Sequence, residues 1–423
     1  MTQINVRKQL LSAYQKALNA VNGRKVVANY LQKHPQMMPL ALLAIGKAAT
    51  QMAAGAFDIL GAQITHTLII TKSGHLDKSL LPDYPMICLE TAHPVPDEAS
   101  LAAGHTLFNF IQTLPPQYPV LVLISGGTSA LVEVLVPGVT LADLQRVNDW
   151  LLGSGLDIQI MNQIRKSLSM IKGGRLATYL KDHPVLNLLI SDVPGDDLQV
   201  IGSGLLTPHK ISPSPFLSGG INSLENARLS HPRNLTLPTW LQSLLTKAYP
   251  LTKTTDFTNI KQHLIATPAL ARQAAQEMIK NNVFNSENLL EGEAEAAGRM
   301  LAQQLNKSEP GFYLWSSETT VLLPEKPGQG GRCQHLALAA ARELAESVTL
   351  LAAGTDGNDG PGEAGGALVD AKTIARGEQK GLNAKQCLEK ADAGRFLAAS
   401  DDLIITGPTG TNVMDLLIAY VSD

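Results

Sequence analysis

The amino-acid sequence predicts an α/β protein, with a Rossmann-like, mostly parallel sheet in an N-terminal domain and a smaller mixed α/β domain at the C-terminus. Two observations support this prediction. Four units in a row, before about residue 208, read as a buried strand, a loop and a helix, which is the pattern of a doubly wound parallel sheet. The chain also has 423 residues, which favours two or three domains over one.

Composition and charge exclude several classes of protein. Hydrophobic residues make up 44% of the chain and charged residues 17%, so we expect a large packed core and no global disorder. The net charge of −3 is spread over both signs, which argues against nucleic acid or an anionic membrane surface as a partner. No apolar stretch is long enough to span a bilayer, and residues 6–21 read as an amphipathic helix rather than a signal sequence. Three cysteines without metal-like spacing indicate a reducing compartment, so we expect a cytoplasmic protein.

The first predicted strand, ALLAIG at residues 41–46, leads directly into Lys47 and a helix. A lysine in the first turn of a helix lies at the unfavourable end of the helix dipole, and a bound anion would relieve this. The alternative is a lysine that points into water. Two more strands follow, and His93 lies in the loop after the second of them, before a helix with Asp97 as its N-cap. We expect His93 to be structural.

The strand at residues 120–124 ends in a loop of glycines and hydroxyl side chains, SGGTS at residues 125–129. Backbone N–H groups in such a loop can bind phosphate or carboxylate oxygens, so we predict binding by Ser125, Gly126, Gly127 and Ser129. The spacing is neither that of the dinucleotide fingerprint nor that of the P-loop. A structural Gly-Gly turn is the alternative.

A predicted helical region from Thr140 to Leu180 is interrupted at residues 172–175, which read KGGR. Lys172, Gly173 and Arg175 at such a break could bind an anion, or form a solvated basic face. We expect this loop and residues 125–129 to line one pocket at the carboxyl ends of neighbouring strands. The next strand, at residues 185–190, is followed by Asp192 in a carboxylate-rich loop that suggests a cation site.

Composition changes after residue 207, where six prolines occur before residue 256 among Ser and Asn. We interpret this stretch as an irregular connection with short helices. Helical patterns follow at 266–280 and 291–305. The predicted organisation is an N-terminal domain at 1–225, a linker and helices at 226–308, and a C-terminal domain at 309–423.

The C-terminal domain contributes more candidate residues. Glu318 lies in a strand, and a glycine-rich loop with Gly330 and Gly331 leads to Arg332 at the start of a helix, where an anion would be favoured. The apolar strand at residues 348–353 ends in the loop GTDGNDGPG, which presents Asp356 and Asp359. These two carboxylates could hold Mg²⁺ or accept a proton, and a plain turn with solvated aspartates is the alternative. A helical segment at about 372–398 and a turn at 407–412 between two edge strands complete the chain.

Nine stretches in this order resemble the class II glycerate 2-kinases, the family whose C-terminal module carries the MOFRL signature. The stretches cover nearly the whole chain and read AIGKAA, HPVPDEAS, LISGGTSAL, NQIRKSLSMIKGGRLA, SDVPGDDLQVIGSG, SETTV, GQGGRCQ, GTDGNDGP and TGPTGTNVMDL. Some family members carry the name hydroxypyruvate reductase.

The chain departs from the family pattern at four places. The family usually has GET where this chain has SET at 317–319, and GGRNQE where this chain has GGRCQH at 330–335. It usually has SGP where this chain has SGL at 203–205, and Thr where this chain has Gly362. These differences concern nucleotide preference and loop geometry, because the charged positions are kept.

The resemblance implies ATP-dependent phosphorylation of D-glycerate at its 2-hydroxyl to give 2-phosphoglycerate. It also implies Mg²⁺ as cofactor and a site in a cleft between the two domains. Lys47, Asp192 and Arg332 are then the predicted catalytic residues, with Lys47 and Arg332 binding anions and Asp192 orienting or deprotonating the 2-hydroxyl. Glu318, Gly330, Gly331, Asp356 and Asp359 are predicted on the nucleotide and metal side. Which loop binds ATP and which binds glycerate stays open, as does the choice between monomer and homodimer.

Three other functions are weighed against this one. An NAD(P)-dependent hydroxypyruvate reductase would usually show G-x-G-x-x-G after a strand with an acidic residue about 20 positions later, and the sequence has no such motif. A kinase for a related small 2-hydroxy acid stays open because the width of a pocket cannot be read from sequence. A sensor without activity is disfavoured by the complete set of Lys, Arg and Asp residues.

Overall fold

The computed structural model describes residues 3–36, 38–156, 158–207, 237–247, 257–279 and 282–423, which form two sheets with associated helices. The strands of the first sheet are β1 (Leu40–Ile45), β2 (Ile64–Lys72), β3 (Ile87–Thr91), β4 (Val120–Ile124), β5 (Val185–Ile190) and β6 (Ile260–Ala266). Their order is β3-β2-β1-β4-β5-β6, and the pairs β1–β2, β2–β3, β1–β4 and β4–β5 are parallel. The predicted mostly parallel sheet is confirmed.

Strands β1 and β4 are buried along their whole length, as expected for parallel strands covered on both faces. The chain order reverses between these two neighbours, which makes the pair the topological switch point of the sheet. In open α/β sheets, loops that leave the carboxyl ends of strands at a switch point are the usual ligand-binding loops. Lys47 and residues 125–129 follow β1 and β4 at this point.

The helices of the chain as far as residue 247 are α1 (Gln3–Ala20), α2 (Gly23–Lys33), α3 (Ala49–Leu60), α4 (Glu98–Thr113), α5 (Thr128–Leu131), α6 (Leu141–Ser154), α7 (Ile158–Ser167), α8 (Arg175–Tyr179) and α9 (Thr239–Leu245). Helix α4 begins with a capping box in which the Asp97 side chain accepts from the backbone N–H of Ser100, and Thr140 forms the equivalent box with Asp143 at α6. The predicted N-cap at Asp97 is confirmed.

The second sheet consists of β7 (Val283–Asn285), β8 (Leu290–Glu293), β9 (Gly311–Thr320), β10 (Val348–Gly354), β11 (Gly366–Asp370), β12 (Leu403–Ile404) and β13 (Asp415–Val421). Its order is β12-β11-β10-β13-β9-β7, and β8 also pairs with β9. Strands β7 and β8 run parallel to β9, whereas the pairs β9–β13, β13–β10, β10–β11 and β11–β12 are antiparallel. The predicted mixed C-terminal α/β domain is therefore confirmed.

The prediction of an edge hairpin around residues 407–412 is wrong. Strand β12 pairs with β11, whereas β13 lies between β10 and β9 in the middle of the sheet. The sequence of β13, DLLIAYV, is apolar at almost every position, which suits a strand with a neighbour on each side. Residues 405–414 are thus a long connection and not a two-strand turn.

The remaining helices are α10 (Pro268–Ile279), α11 (Ala294–Leu305), α12 (Arg332–Ala341), α13 (Thr373–Glu378), α14 (Ala384–Glu389) and α15 (Ala393–Ala399). Helices α11 and α12 pack with Trp315 of β9 and Phe396 of α15 in one apolar core on a face of the second sheet. The predicted helical segment at 372–398 is three short helices, and a new N-cap at Asn383 starts the second of them.

Residue contacts divide the chain into two compact units. Unit 1 contains Met1–Asn29, Ile190–Pro194 and Leu264–Asp423, and unit 2 contains Tyr30–Leu189 and Gly195–His263. Residues 1–29 and the helices after residue 264, which we predicted in the N-terminal domain and the linker, therefore belong with the second sheet. Residues 1–29 belong there because α1 packs on α10 and Arg7 of α1 pairs with Asp370 and Asp402.

Most of the proline-rich connection lies outside the described residues, since only 237–247 and 257 onwards are described between residues 208 and 263. Helix α9 is the described part of that connection. Among the described helices, no helix combines the length and the apolar character needed to cross a membrane.

Candidate active site

The loops of unit 1 bring together five charged side chains, which we call the acid–arginine cluster. Four of its residues are ones that the sequence analysis selected, and Asp415 is new. Its members are Asp192, Glu318, Arg332, Asp356 and Asp415. Arg332 is the first residue of α12, Asp415 is the first of β13, Asp192 and Asp356 follow β5 and β10, and Glu318 lies within β9 near its end.

Arg332 is held by two carboxylates. Its Nε donates to Oδ2 of Asp415 at 2.6 Å and its Nη2 donates to Oδ1 at 3.1 Å, so Asp415 binds the guanidinium through both oxygens. Its Nη1 also donates to Oε1 of Glu318. A bidentate pair fixes the plane of a guanidinium as well as its position. Arg332 has five N–H groups and these bonds use three, so the group can also bind an anion.

Glu318 lies close to several negative groups. Burial, together with the charges of Asp415 and Asp192, raises the pKa of Glu318 to about 7, and the charge of Arg332 opposes the rise. The Glu318 side chain is 36% exposed to solvent, so it is accessible to a ligand. The carboxyl group of Glu318 is thus poised to exchange a proton near neutral pH.

Asp192 follows β5 and is held in place by an amide from another loop. The Nδ2 of Asn412 donates to Oδ2 of Asp192 at 2.9 Å. Asp192 is half-buried, and its charge acts on the carboxyl group of Glu318. The amide donor holds the carboxylate in one orientation, which is what a general base requires.

Asp356 lies in a turn that begins at the last residue of β10. The backbone N–H of Gly357 donates to the carbonyl of Gly354 at 3.3 Å, and Oδ1 of Asp356 accepts from the backbone N–H of Asn358 at 3.0 Å. A Cβ placed on Gly354 would lie 3.3 Å from Oδ1 of Asp356 and 3.4 Å from Oδ1 of Asp415. Gly354 therefore allows both carboxylates to approach the same point.

Asp359 has a different role from the metal ligand that we predicted. Its Oδ1 accepts from the backbone N–H of Cys333 at 3.0 Å, and its Oδ2 accepts from the backbone N–H of Gln334 at 2.8 Å and from Nε2 of that residue at 3.0 Å. These bonds satisfy free N–H groups in the first turn of α12, so Asp359 caps this helix from a distant loop. Burial and the charge of Asp415 raise the pKa of Asp359 to about 7, while the N–H donors oppose the rise.

The two predicted glycines before α12 serve close packing. A Cβ on Gly331 would lie 2.3 Å from the backbone of Asp359, and one on Gly330 would lie 2.7 Å from the backbone nitrogen of Gly394. Gly330 also has φ +118°, which side chains disfavour. Glycine is thus needed at both positions because the loop packs closely against its neighbours. This packing in turn positions Arg332.

Among the described residues, no group of three or more His, Cys, Asp or Glu side chains is arranged to hold a metal ion. Mg²⁺ usually keeps several waters and binds through one or two carboxylates together with substrate phosphates. Asp356, which lies in an accessible turn, fits that mode of binding. Asp359, with both oxygens committed to helix α12, does not.

Unit 2 contains a second group of predicted residues, which we call the switch-point cluster: Lys47, His93 and residues 125–129. The backbone N–H of Lys47 donates to the carbonyl of Gly126 at 2.9 Å, which ties the loop after β1 to the loop after β4. A Cβ on Gly127 would lie 3.2 Å from Cγ of Lys47 and 3.1 Å from Cδ2 of His93. The side chains of Lys47 and His93 therefore meet over Gly127, although we expected His93 to be only structural.

Two residues in the loop after β4 differ in their availability. Ser125 is fully buried, and its side-chain oxygen accepts from the backbone N–H of Ala48 at 3.0 Å, so it joins the two loops rather than facing a ligand. Ser129 is half-buried, and its hydroxyl accepts from the hydroxyl of Ser203 at 2.8 Å. Ser129 remains able to contact a bound molecule.

The predicted meeting of residues 125–129 with residues 172–175 occurs through a third segment. The backbone N–H groups of Gly173 and Gly174 donate to the carbonyls of Ser203 and Gly204 at 3.0 and 2.6 Å. Ser203 in turn contacts Ser129. These N–H groups are therefore engaged within the fold, and anion binding at Gly173 stays a prediction.

Lys172 and Arg175 are structural in this arrangement, which corrects their predicted anion binding. The Nζ of Lys172 pairs with Oε2 of Glu133 at 2.5 Å, and both side chains are almost fully buried. Arg175 is also buried, and its Nη1 donates to the carbonyls of Lys166 and Lys172 at 2.6 and 3.1 Å. Their charges are used inside unit 2 to hold the turn between α7 and α8.

Sequence reasoning missed Asp415 and Asn412 as site residues. Both lie in the stretch TNVMD that precedes β13, one of the stretches that carry the family resemblance. The available signal was that Asp415 stands at the start of an apolar strand, whereas Asp192 follows the end of one. The pairing of β13 with β9 places Asp415 opposite Ser317, which is next to Glu318 in the chain.

Comparison with known proteins gives two family matches. A domain of unknown function, DUF4147, matches residues 9–224, and the MOFRL family matches residues 311–415.

Several relatives match over most of this chain, but they do not all carry the same functional name. The D-glycerate 2-kinase of Thermotoga maritima is 33% identical over 99% of each chain. A putative hydroxypyruvate reductase of Agrobacterium vitis is 34% identical over 89% of this chain and 97% of the relative. Among solved structures, a glycerate kinase of Thermotoga maritima has a TM-score of 0.81 and 32% identity over 99% of both chains.

Proposed function

The chain belongs to the glycerate 2-kinase family, and from this membership we propose that it is an ATP-dependent kinase that phosphorylates D-glycerate at the 2-hydroxyl to give 2-phosphoglycerate. The observation that carries the proposal is the acid–arginine cluster. It combines a guanidinium fixed by Asp415 with the oriented carboxylate of Asp192. Phosphoryl transfer requires positioning and charge neutralisation more than covalent chemistry, and this set of groups supplies both.

The reaction needs a base, and we assign that role to Asp192. The 2-hydroxyl oxygen of glycerate attacks the γ-phosphorus of ATP, its proton passes to Asp192, and the bond from the γ-phosphorus to the bridging oxygen breaks to release ADP. The amide of Asn412 supports the assignment because it holds the carboxylate in one orientation. Glu318, with a pKa of about 7, is the second group able to take or give a proton near neutrality.

Two cations are available to oppose the charge of the phosphates. Arg332 has N–H groups beyond those used by Asp415 and Glu318. Lys47 lies at the switch point of the first sheet beside Gly127. Removal of one such donor from a preorganised site typically costs on the order of 2–4 kcal/mol of transition-state stabilisation. We propose both as catalytic residues, with Ser129 and Gly127 as substrate-binding groups.

ATP in this class of reaction would carry Mg²⁺, and the ion would neutralise part of the phosphate charge. Asp356 is the residue that we propose to hold this ion, with Asp415 and Asp359 engaged elsewhere by Arg332 and by α12. The cytoplasmic location and the oligomeric state stay predictions.

The rival activity is reduction of hydroxypyruvate with NAD(P)H, which the name of the Agrobacterium relative suggests. The order of the first sheet is the one found in dinucleotide-binding domains, so fold alone does not separate the two activities. The loops after β1 and β4 read GKAA and SGGTS and lack the dinucleotide fingerprint.

Two parallel assays test the proposal. ADP formation is measured with D-glycerate and ATP, and NADH or NADPH oxidation is measured with hydroxypyruvate, on the same preparation. We expect ADP formation that depends on D-glycerate and falls strongly in Lys47→Ala and Arg332→Ala. Turnover of NADH without ADP formation would identify a reductase instead. Tartronate and other small 2-hydroxy acids as alternative acceptors would show how narrow the substrate range is.

A further inference from the structure

Helix α1 contacts the second sheet of unit 1 along its whole length, although it is the first helix of the chain. Near its start, Arg7 donates to Asp370 at 2.8 Å and to Asp402 at 2.9 Å. In its middle, the hydroxyl of Tyr14 donates to the carbonyl of Gly354 at 2.6 Å. Beyond its end, Asn22 donates from Nδ2 to the carbonyl of Thr409 at 3.1 Å. The last two contacts are with loops of the acid–arginine cluster.

The Tyr14 contact falls on one particular atom of the site. The carbonyl of Gly354 also accepts from the backbone N–H of Gly357, and this bond closes the turn that presents Asp356. Tyr14 is 2% exposed, so its bond is shielded from water. Burial raises the pKa of the Tyr14 phenol well above its ordinary value, and Cys333, Asp356 and Asp415 raise it further.

The contact at the end of α1 reaches the other loop. Gly23 donates its backbone N–H to the carbonyl of Gly410 at 2.9 Å, next to the Asn22 contact. Thr409 is tied to the turn of Asp356, since its hydroxyl donates to the carbonyl of Thr355 at 2.5 Å. The same loop continues to Asn412, which orients Asp192. Asp356, through its own turn, and Asp192, through Asn412, therefore both depend on segments that α1 contacts.

We propose that Tyr14 is a positioning residue for phosphoryl transfer, and that α1 acts through Tyr14 and Asn22 as a clamp on the loops that carry Asp356 and Asn412. A phenylalanine would fill the same apolar space, so packing alone does not require the hydroxyl. The part of the proposal that concerns activity rests on the proposed kinase function. The part that concerns order in the loops does not depend on it.

The test compares two tyrosine-to-phenylalanine variants of the full chain. Tyr14→Phe removes the bond to Gly354. Tyr313→Phe is the matched control, because Tyr313 is also buried and its hydroxyl also donates to a backbone carbonyl, that of Glu309, at 2.7 Å. Two quantities are measured: hydrogen exchange of the backbone amides at 354–361, and kcat and KM for D-glycerate.

We expect faster exchange at 354–361 in Tyr14→Phe and wild-type exchange there in Tyr313→Phe. We also expect kcat to fall between about 10- and 100-fold in Tyr14→Phe, with little change in KM, because small displacements of reacting groups have effects of this size. The control is expected to keep the wild-type kcat. A second variant, Asn22→Ala, should raise exchange at 407–412 and lower kcat, and it decides the question if Tyr14→Phe does not fold.

Three results would overturn the proposal. One is equal behaviour of Tyr14→Phe and Tyr313→Phe in both measurements. Another is faster exchange with unchanged kcat, which would show that order in the loop is not needed for transfer. The third is a lower unfolding temperature in Tyr14→Phe with neither exchange at 354–361 nor kcat affected, the sign of a merely stabilising bond. A wild-type protein without D-glycerate kinase activity would refute the proposed function, and the exchange comparison would still decide whether α1 clamps the loop.

Discussion

At the scale of single residues, the charge of the acid–arginine cluster decides what it can bind. The cluster contains four carboxylates and one guanidinium, two of the carboxylates in contact with it, so it carries excess negative charge when all are ionised. ATP is also anionic, and like charges at short range disfavour binding unless a cation lies between them. The proton on Glu318 below a pH of about 7 and a Mg²⁺ ion on the nucleotide both reduce this repulsion. The cluster therefore suits a metal–nucleotide complex better than free ATP.

The first prediction concerns Asp192. Asparagine at this position keeps an oxygen that can accept from Asn412 but loses the negative charge and most of the basicity. We expect Asp192→Asn to lower kcat by about 10²- to 10⁴-fold, the usual contribution of a general base, with KM for ATP nearly unchanged. Steady-state kinetics with D-glycerate measure both quantities. The control is Asp197→Asn, an exposed aspartate of the following loop, and wild-type turnover in Asp192→Asn would remove it from the role of base.

The second prediction concerns the pH dependence of stability through Glu318. Its folded pKa of about 7 is higher than its ordinary value of 4.5, so the folded state binds the proton more tightly than the unfolded state. Stability therefore falls as pH rises between these two values. We expect Glu318→Gln to remove this part of the fall. Urea unfolding of both proteins from pH 4.5 to 8 measures it, and parallel curves would show that Glu318 is not the group responsible.

At the scale of elements, helix α12 and the loop after β10 depend on each other through Asp359. We expect Asp359→Ala to lower the free energy of unfolding by about 1–2 kcal/mol or more, because a helix cap is lost in a buried place. We expect Asp356→Ala, three residues away, to leave stability nearly unchanged and to raise the Mg²⁺ concentration needed for activity. Chemical unfolding and Mg²⁺ titration of both variants separate the roles. If Asp359→Ala raised the Mg²⁺ requirement and Asp356→Ala lowered the stability instead, the assignment of the two roles would be reversed.

The connection between α7 and α8 provides the next prediction. Lys172 and Glu133 form a buried pair, so removal of one partner leaves an unpaired charge in the interior. We expect Lys172→Met to lower the free energy of unfolding by about 3–5 kcal/mol, and Lys172→Met combined with Glu133→Gln to recover part of the loss. Urea unfolding of the single and double variants measures the difference. A single variant with normal stability and weakened binding of ATP or glycerate would instead support the anion-binding role that the sequence suggested.

The elements were more predictable from the sequence than the contacts between them. Lys47, Asp192 and Asp356 could be selected because each follows an apolar strand, and Arg332 because it opens a helix after glycines. The partner of Arg332 could not be selected, since Asp415 lies 83 residues later and contacts it only through the tertiary fold. In the same way, the KGGR motif does not show whether Lys172 binds an anion or pairs with Glu133, which lies 39 residues earlier.

At the scale of the whole molecule, the chain combines a sheet of dinucleotide-binding order with a mixed sheet that carries the acid–arginine cluster. The first architecture hosts many unrelated reactions, so it does not by itself fix the chemistry. The choice of reaction rests on the side chains in the loops of the two units. The kinase assignment is therefore best tested by the product itself.

The most direct measurement is the identity of the phosphorylated product. Enolase converts 2-phosphoglycerate to phosphoenolpyruvate but does not act on 3-phosphoglycerate, so coupling to enolase without a mutase reports the position of the new phosphate. With ATP, Mg²⁺ and D-glycerate, we expect immediate formation of phosphoenolpyruvate in an amount equal to the ADP released, and formation slowed by about 10²- to 10⁴-fold with Asp192→Asn. ADP release without phosphoenolpyruvate until a mutase is added would show transfer to the 3-hydroxyl and would contradict the proposed reaction.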